Sequence, residues 1–211
     1  MISALILAGG KSSRMNFKHK ALLSYDHRNF LEKLLDTFND FEKTYYSINK
    51  DQNFNFNNGI KIVDSFNNIG PISGIYECML KLKEKYLFIT PCDCPNISKE
   101  LITYILGYVS SDYDAFIIKD SKGFIHPLIG VYSKNILPII TEMINEKDYK
   151  ILNILNKINV KYIDLSQSKF NDTLIKNINT EKDYLSLTND IQENIPFIAI
   201  SGIKNSGKTT L

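Results

Sequence analysis

Short apolar runs alternate with amphipathic stretches along most of this chain. Residues Ile2–Leu7 form a nearly continuous apolar run closed by Ala8-Gly9-Gly10, the pattern of a buried strand entering a loop. From about residue 29, Phe30, Leu34, Leu35 and Phe38 share one face of a helix. Residues 44–48 and 59–63 read as the second and third strands, separated by an Asn-rich loop. Gly70-Pro71 then opens a helix with proline at its first position. Its apolar stripe is Ile75, Met79 and Leu82, and Lys81, Lys83 and Lys85 lie near its negative end. A strand at 86–90 stops at Pro91, and Ser98 caps a helix bearing Leu101, Ile102, Ile105 and Leu106. Further strands are expected at 115–118, 128–132, 160–164 and 174–178, and helices at 136–145, 149–158 and 180–188.

Strands alternating with helices predict an α/β architecture with a mainly parallel sheet covered on both faces. Ligands in such sheets bind beyond the C-terminal ends of the strands. Gly9, Asn49, Asp64 and Asp93 fall there.

Composition narrows the field. The 211 residues are 44% hydrophobic and 23% charged, which suits one good-sized globular domain. Lys plus Arg number 25 against 23 Asp plus Glu, a balance too even to predict nucleic-acid or membrane-surface binding. With 31 Ile, 23 Lys and 22 Asn, an AT-rich coding bias explains much of the usage, so single Asn or Lys residues carry little information and the two arginines, Arg14 and Arg28, carry more. Three cysteines make no disulfide framework. No apolar run reaches the 18 or so residues of a membrane span, and the apolar start has no basic leader. A cytoplasmic location is expected.

The loop after the first strand reads Leu7-Ala8-Gly9-Gly10-Lys11-Ser12-Ser13-Arg14-Met15 and continues to Lys20. Paired glycines let the backbone approach a phosphate or a base, and successive amides make an anion-binding nest. Arg14 and Lys20 add positive charge. The bland alternative is a solvated lysine-bearing loop. Asp93, between Pro91 and Pro95, is held stiffly at a strand end; its alternative role is a turn residue before the Ser98 helix. Cys92-x-Cys94 lacks a nearby His or third Cys for zinc. No Ser-His-Asp set or pair of catalytic carboxylates is evident.

Leu-Ala-Gly-Gly-x-Ser-x-Arg-Met followed by Lys20 resembles the signature loop of the molybdenum cofactor guanylyltransferases (the MobA family). The resemblance continues through Asp64 with Gly70-Pro71-Ile72-Ser73-Gly74, Pro91-Cys92-Asp93-Cys94-Pro95, His126-Pro127 and Asn177-Ile178-Asn179-Thr180. It implies a Rossmann-like three-layer nucleotidyltransferase fold over residues 1–189. It further implies that Leu7, Ala8, Gly9, Gly10, Lys20, Asn49, Asp64, Gly70, Gly74 and Asp93 bind GTP. Ser47 rivals Asn49 if the register shifts. Lys20, Arg14 and Asp93 would be catalytic, Asp93 would hold Mg²⁺, and His126, Asn177 and Asn179 would lie on the pterin side. Two departures stand out: Asn16 where the family usually has Gly, and His19 where it usually has Asp.

The reaction so implied passes GMP from GTP to the phosphate of molybdenum-bound molybdopterin. A phosphate monoester is largely a dianion at neutral pH, so positioning and charge neutralisation should dominate. Molybdenum cofactor cytidylyltransferase and a non-catalytic nucleotide-binding adaptor are the alternatives. Beyond a polar linker at 190–196, Gly202-Ile-Lys-Asn-Ser-Gly207-Lys208-Thr209 matches the Walker A pattern. Residues 197–211 resemble the start of a MobB P-loop domain without the helix that would receive the phosphate. They are read as a truncated, disordered stub. A MobB-like partner and molybdoenzyme chaperones are further expected partners.

Overall fold

The structure, a computed structural model, describes residues 1–9, 19–66 and 68–193. Gly10, Arg14, Asn16, the last part of the linker and the P-loop stub therefore lie outside the described residues.

In chain order the elements are β1 (Ile2–Leu7), β2 (Ser24–Tyr25), β3 (Arg28–Asn29), α1 (Phe30–Thr37), β4 (Thr44–Ile48), β5 (Ile60–Val63) and α2 (Ile72–Lys81). They continue with β6 (Tyr86–Pro91), α3 (Lys99–Leu106), β7 (Ala115–Lys119), β8 (Ile125–Ser133), α4 (Leu137–Asn145), α5 (Ile151–Leu155), β9 (Val160–Asp164) and α6 (Glu181–Glu193). Seven strands form one sheet in the order β5-β4-β1-β6-β8-β7-β9, and β2-β3 is a separate hairpin. Only β8 runs against its neighbours; β5, β4, β1 and β6 are all parallel.

Period-two patterning divides the core into two layers. Ala4, Ile6, Phe88, Phe116 and Ile118 face one apolar cluster with Leu34 of α1 and Leu101 of α3. Leu5, Leu7, Leu87, Ile89 and Ile117 face the other, with Ile75 of α2, Ile140 of α4 and Ile154 of α5. The inner parallel strands β1, β4 and β6 are thus buried on both sides, while the edge strands β5 and β9 are partly exposed. A third cluster, Leu23, Phe30, Ile178 and Leu187, packs α6 onto the β2–β3 hairpin.

Local chemistry sets the helix starts. Asn29 and Glu32 form a reciprocal capping box on α1 at 2.9 Å in each direction, worth about 1 kcal/mol. Ser98 caps α3. Pro71 occupies the N-cap of α2, one position ahead of the expected place. The strand at 86–90 runs on to Pro91, which pairs with Leu7. β8 begins at Ile125, upstream of the expected 128, because the ladder shifts register opposite Ile117 and Ile118 and an irregular pairing tolerates Pro127.

Three expectations are corrected. The helix at 149–158 shrinks to α5, because Asp148 accepts hydrogen bonds from Lys150 N–H and the Asn153 amide and turns the chain before Ile151. Residues 174–178 are not a strand. Asn171 caps a 3-10 turn at Asp172–Ile175, after which Ile175 and Ile178 bury into different clusters. The last helix extends to Glu193, so the first residues of the stretch read as a linker are helical.

Candidate active site

From β1 the chain moves outward to β4 and β5, then returns to β6 on the other side of β1. That reversal leaves a crevice beyond the carboxyl ends of four parallel strands. Ladder hydrogen bonds carry the first loop residues into fixed positions: Ala8 N–H donates to Ser47 O (2.9 Å), Asp64 N–H to Ile48 O (2.9 Å) and Cys92 N–H to Leu7 O (3.0 Å). The crevice is a cavity of about 560 Å³ walled by Leu7, Ala8, Gly9, Lys20, Ser47, Asn49, Asp64, Gly70 and Asp93, together with Phe66, Asn68, Pro71, Pro91, Cys92 and Leu128 among the described residues. Ser47 and Asn49 both line it.

At the site, space dictates Gly74: a Cβ there would collide with Ser47 Oγ and stand 3.1 Å from Asp64 Oδ1, whereas a Cβ on Gly9 would stand 2.8 Å from Asn49 Oδ1, the end of a side chain that can move aside. Gly74 does not wall the cavity. It lets α2 pack against the backs of Ser47 and Asp64.

Asp64 is 6% exposed and its Oδ1 is buried without a hydrogen-bond partner among the described residues. Burial, assisted by the Glu77 charge, pushes its carboxyl up to about 7. A carboxylate so placed is an unfilled acceptor beside a cavity.

On the β6 side, Lys20 Nζ donates to Asp93 Oδ2 at 2.9 Å and to Asn179 Oδ1 at 2.6 Å. The segment around 177–179 clamps this pair. Ile178 N–H donates to Asp93 O at 2.8 Å, and the buried Cys94 thiol donates to Asn177 Oδ1 at 2.8 Å. Asp93 Oδ1 is buried and, among the described residues, accepts no hydrogen bond. It is therefore the oxygen available to a hard cation, and one carboxylate with substrate phosphates and water satisfies Mg²⁺. A soft-metal site is disfavoured: burial pushes the Cys92 and Cys94 thiols up. Among the described residues no group of three or more His, Cys, Asp or Glu could hold a metal.

Asn179 joins the site through Lys20, whereas Asn177 serves as an anchor for Cys94. His126 lies outside the cavity wall, its Nε2 at 3.1 Å from Asp120 Oδ2. Phe66, Asn68 and Leu128 are wall residues that the sequence does not announce. The first two sit in an Asn-rich stretch that composition camouflages, and Leu128 carries no polar signal. His19 does not line the cavity; its Nδ1 lies 3.1 Å from Gln52 Nε2.

A switch-point cavity in a three-layer α/β sheet, bearing among the described residues a lysine–carboxylate pair and two buried carboxylate oxygens that accept no hydrogen bond, is the setting of a ligand-binding α/β protein. The chain matches the family described as MobA-like NTP transferase domain over residues 4–161. It is 32% identical over 191 residues to a probable molybdenum cofactor guanylyltransferase of Clostridium perfringens, covering 88% of this chain and 95% of that one. A protein described in the same words from Carboxydothermus hydrogenoformans is 31% identical over 189 residues, covering 88% and 94%. The fold is shared with molybdopterin-guanine dinucleotide biosynthesis protein A from Archaeoglobus fulgidus, at a TM-score of 0.76 and 19% identity over 90% of this chain and 99% of that one. It is shared too with 2-C-methyl-D-erythritol 4-phosphate cytidylyltransferase from Thermus thermophilus, at a TM-score of 0.68, 12% identity and coverages of 90% and 98%. This chain belongs to the MobA-like NTP transferase family. Among the described residues, no helix is long and apolar enough to cross a membrane.

Proposed function

We propose that this protein transfers GMP from GTP to the phosphate of molybdenum-bound molybdopterin, releasing pyrophosphate. The observation that carries the reading is the pairing, in one cavity, of a buried open acceptor after β5 with a lysine–carboxylate pair after β6. Three strand spacings separate those positions in the sheet order, roughly 14 Å at the usual inter-strand distance, the length scale of a nucleotide. The names of the relatives support the same chemistry.

Guanine presents a ring N–H and an amino group on one edge, and ionised Asp64 can accept from both. Cytosine lacks the ring N–H there. Asn49 and the backbone of Ala8 and Gly9 approach the nucleoside from β4 and β1. Lys20, oriented by Asp93 and Asn179, neutralises triphosphate oxygens. Asp93 would hold Mg²⁺, which supplies charge neutralisation on the triphosphate. An acceptor phosphate oxygen forms a bond to the α-phosphorus as the α–β bridging bond breaks, and its electron pair leaves with pyrophosphate. The acceptor is already a dianion, so the chain's task is to hold two anions together. Arg14 would add charge to the same oxygens.

Pyrophosphate release in the presence of molybdopterin, Mg²⁺ and either GTP or CTP tests this. Release with GTP at least tenfold above CTP is expected. Preference for CTP favours the cytidylyltransferase, and GTP binding without release favours an adaptor. Catalysis is placed within residues 1–189, with no role in the chemical step for a MobB-like partner or a molybdoenzyme chaperone. A chain ending at Glu193 should keep full turnover.

A further inference from the structure

Gln52 lies in the irregular segment after β4 and is 7% exposed. Its two polar ends are satisfied by two segments beside the cavity, one at the wall residue Asn49 and the other at His19, the neighbour of the wall residue Lys20. Oε1 accepts from Asn49 N–H at 2.8 Å, while Nε2 lies 3.1 Å from His19 Nδ1. A backbone N–H can only donate, so Oε1 must face Asn49 and the amide nitrogen must face the imidazole. Nδ1 of His19 therefore accepts, and the ring is neutral with its proton on Nε2. The backbone of Gln52 repeats the tie, its N–H donating to Asn49 O at 3.0 Å.

His19 is fixed in turn. Its carbonyl accepts from Leu22 N–H at 2.9 Å and closes the 3-10 turn Lys20–Leu22, and its ring lies against Phe54 with centroids 6.3 Å apart. Lys20, the next residue, reaches Asp93. A continuous path thus runs from Asn49 through Gln52 and His19 to Lys20.

We propose that Gln52 is a positioning residue that sets the distance between the nucleoside wall at Asn49 and the phosphate-binding Lys20, with His19 serving as a neutral hydrogen-bond acceptor and not as a cation for the triphosphate. The proposal rests on the reading of the cavity as a GTP site.

The test compares Gln52→Leu, His19→Ala, the double variant, and His19→Asn, whose carbonyl can accept in place of Nδ1. Melting temperature serves as the folding control. Each disabling variant should weaken Mg²⁺–GTP binding roughly fivefold to tenfold, the scale of one buried hydrogen bond. The double variant should be no worse than the poorer single one, because both break one path, and His19→Asn should recover most of the loss. Additive losses, or unchanged GTP affinity in folded single variants, would overturn the proposal. The ¹⁵N signal of His19 Nδ1 gives a readout independent of nucleotide: it should report an acceptor nitrogen and move in Gln52→Leu, and an unmoved signal overturns the tie. If the wild-type protein binds no GTP, the cavity reading fails, and the imidazole signal still decides whether the tie exists.

Discussion

Replacing Asp64 with Asn removes a buried carboxylate whose Oδ1 has no hydrogen-bond partner. Burial first, and the Glu77 charge second, raise its pKa from 3.8 to about 7. The native state therefore holds a proton that the unfolded chain releases between about pH 4 and pH 7. Across that window the wild-type protein loses stability as pH rises; below and above it the two states bind the proton alike. A gap of about three pH units, at roughly 1.4 kcal/mol each, puts the cost of ionised Asp64 on the order of 4 kcal/mol. Solvent entering the open cavity screens part of that cost. Even so, it is a large share of the 5–15 kcal/mol typical of a whole domain. Urea unfolding at a series of pH values, without nucleotide or Mg²⁺, should show Asp64→Asn more stable than wild type by about 2–4 kcal/mol at pH 8 and within about 1 kcal/mol at pH 4. GTP should bind the variant more weakly, since ionised Asp64 is the acceptor that the base requires. A stability difference that stays constant from pH 4 to pH 8 would show that Asp64 does not titrate in this way.

Lys20→Ala should lower turnover at least tenfold, measured by steady-state pyrophosphate release, and should also lower the melting temperature, because it leaves the largely buried Asp93 carboxylate without its ion-pair partner. Asp93→Ala should abolish Mg²⁺-dependent turnover, and a Mg²⁺ titration identical to wild type would remove Asp93 as the ligand. Gly74→Ala drives a methyl group into Ser47 and Asp64, so a loss of about 2 kcal/mol or more is expected in denaturant titrations. GTP affinity should fall with it.

Several elements were legible because one physical pattern dominated each. β1, β4 and β9 fell on the expected residues; β1 and β4 lie inside the sheet and are buried on both faces, whereas β9, at the edge, showed itself by alternation, with Ile163 buried and Tyr162 exposed. Asn49, Asp64 and Asp93 were placed by topology, as polar residues directly after parallel strands must meet at one edge of the sheet. The failures came where side chains, not periodicity, decide. Asp148 and Asn171 redirect the backbone through their own hydrogen bonds, and no apolar pattern reports that. Gln52 was hidden in an Asn-rich loop whose composition looks like coding bias, and its partner His19 is 33 residues away. The separation of Asn177 from Asn179 was equally invisible. The two share a motif, yet one meets a buried thiol and the other the lysine.

A structure of the protein with Mg²⁺ and a non-hydrolysable GTP analogue would decide whether the crevice is the nucleotide site. The guanine edge should lie against Asp64, the triphosphate beside Lys20, and the metal on Asp93 Oδ1. A nucleotide bound away from the crevice between β5 and β6, or one whose base and phosphates are exchanged end for end, would contradict the proposed reaction geometry.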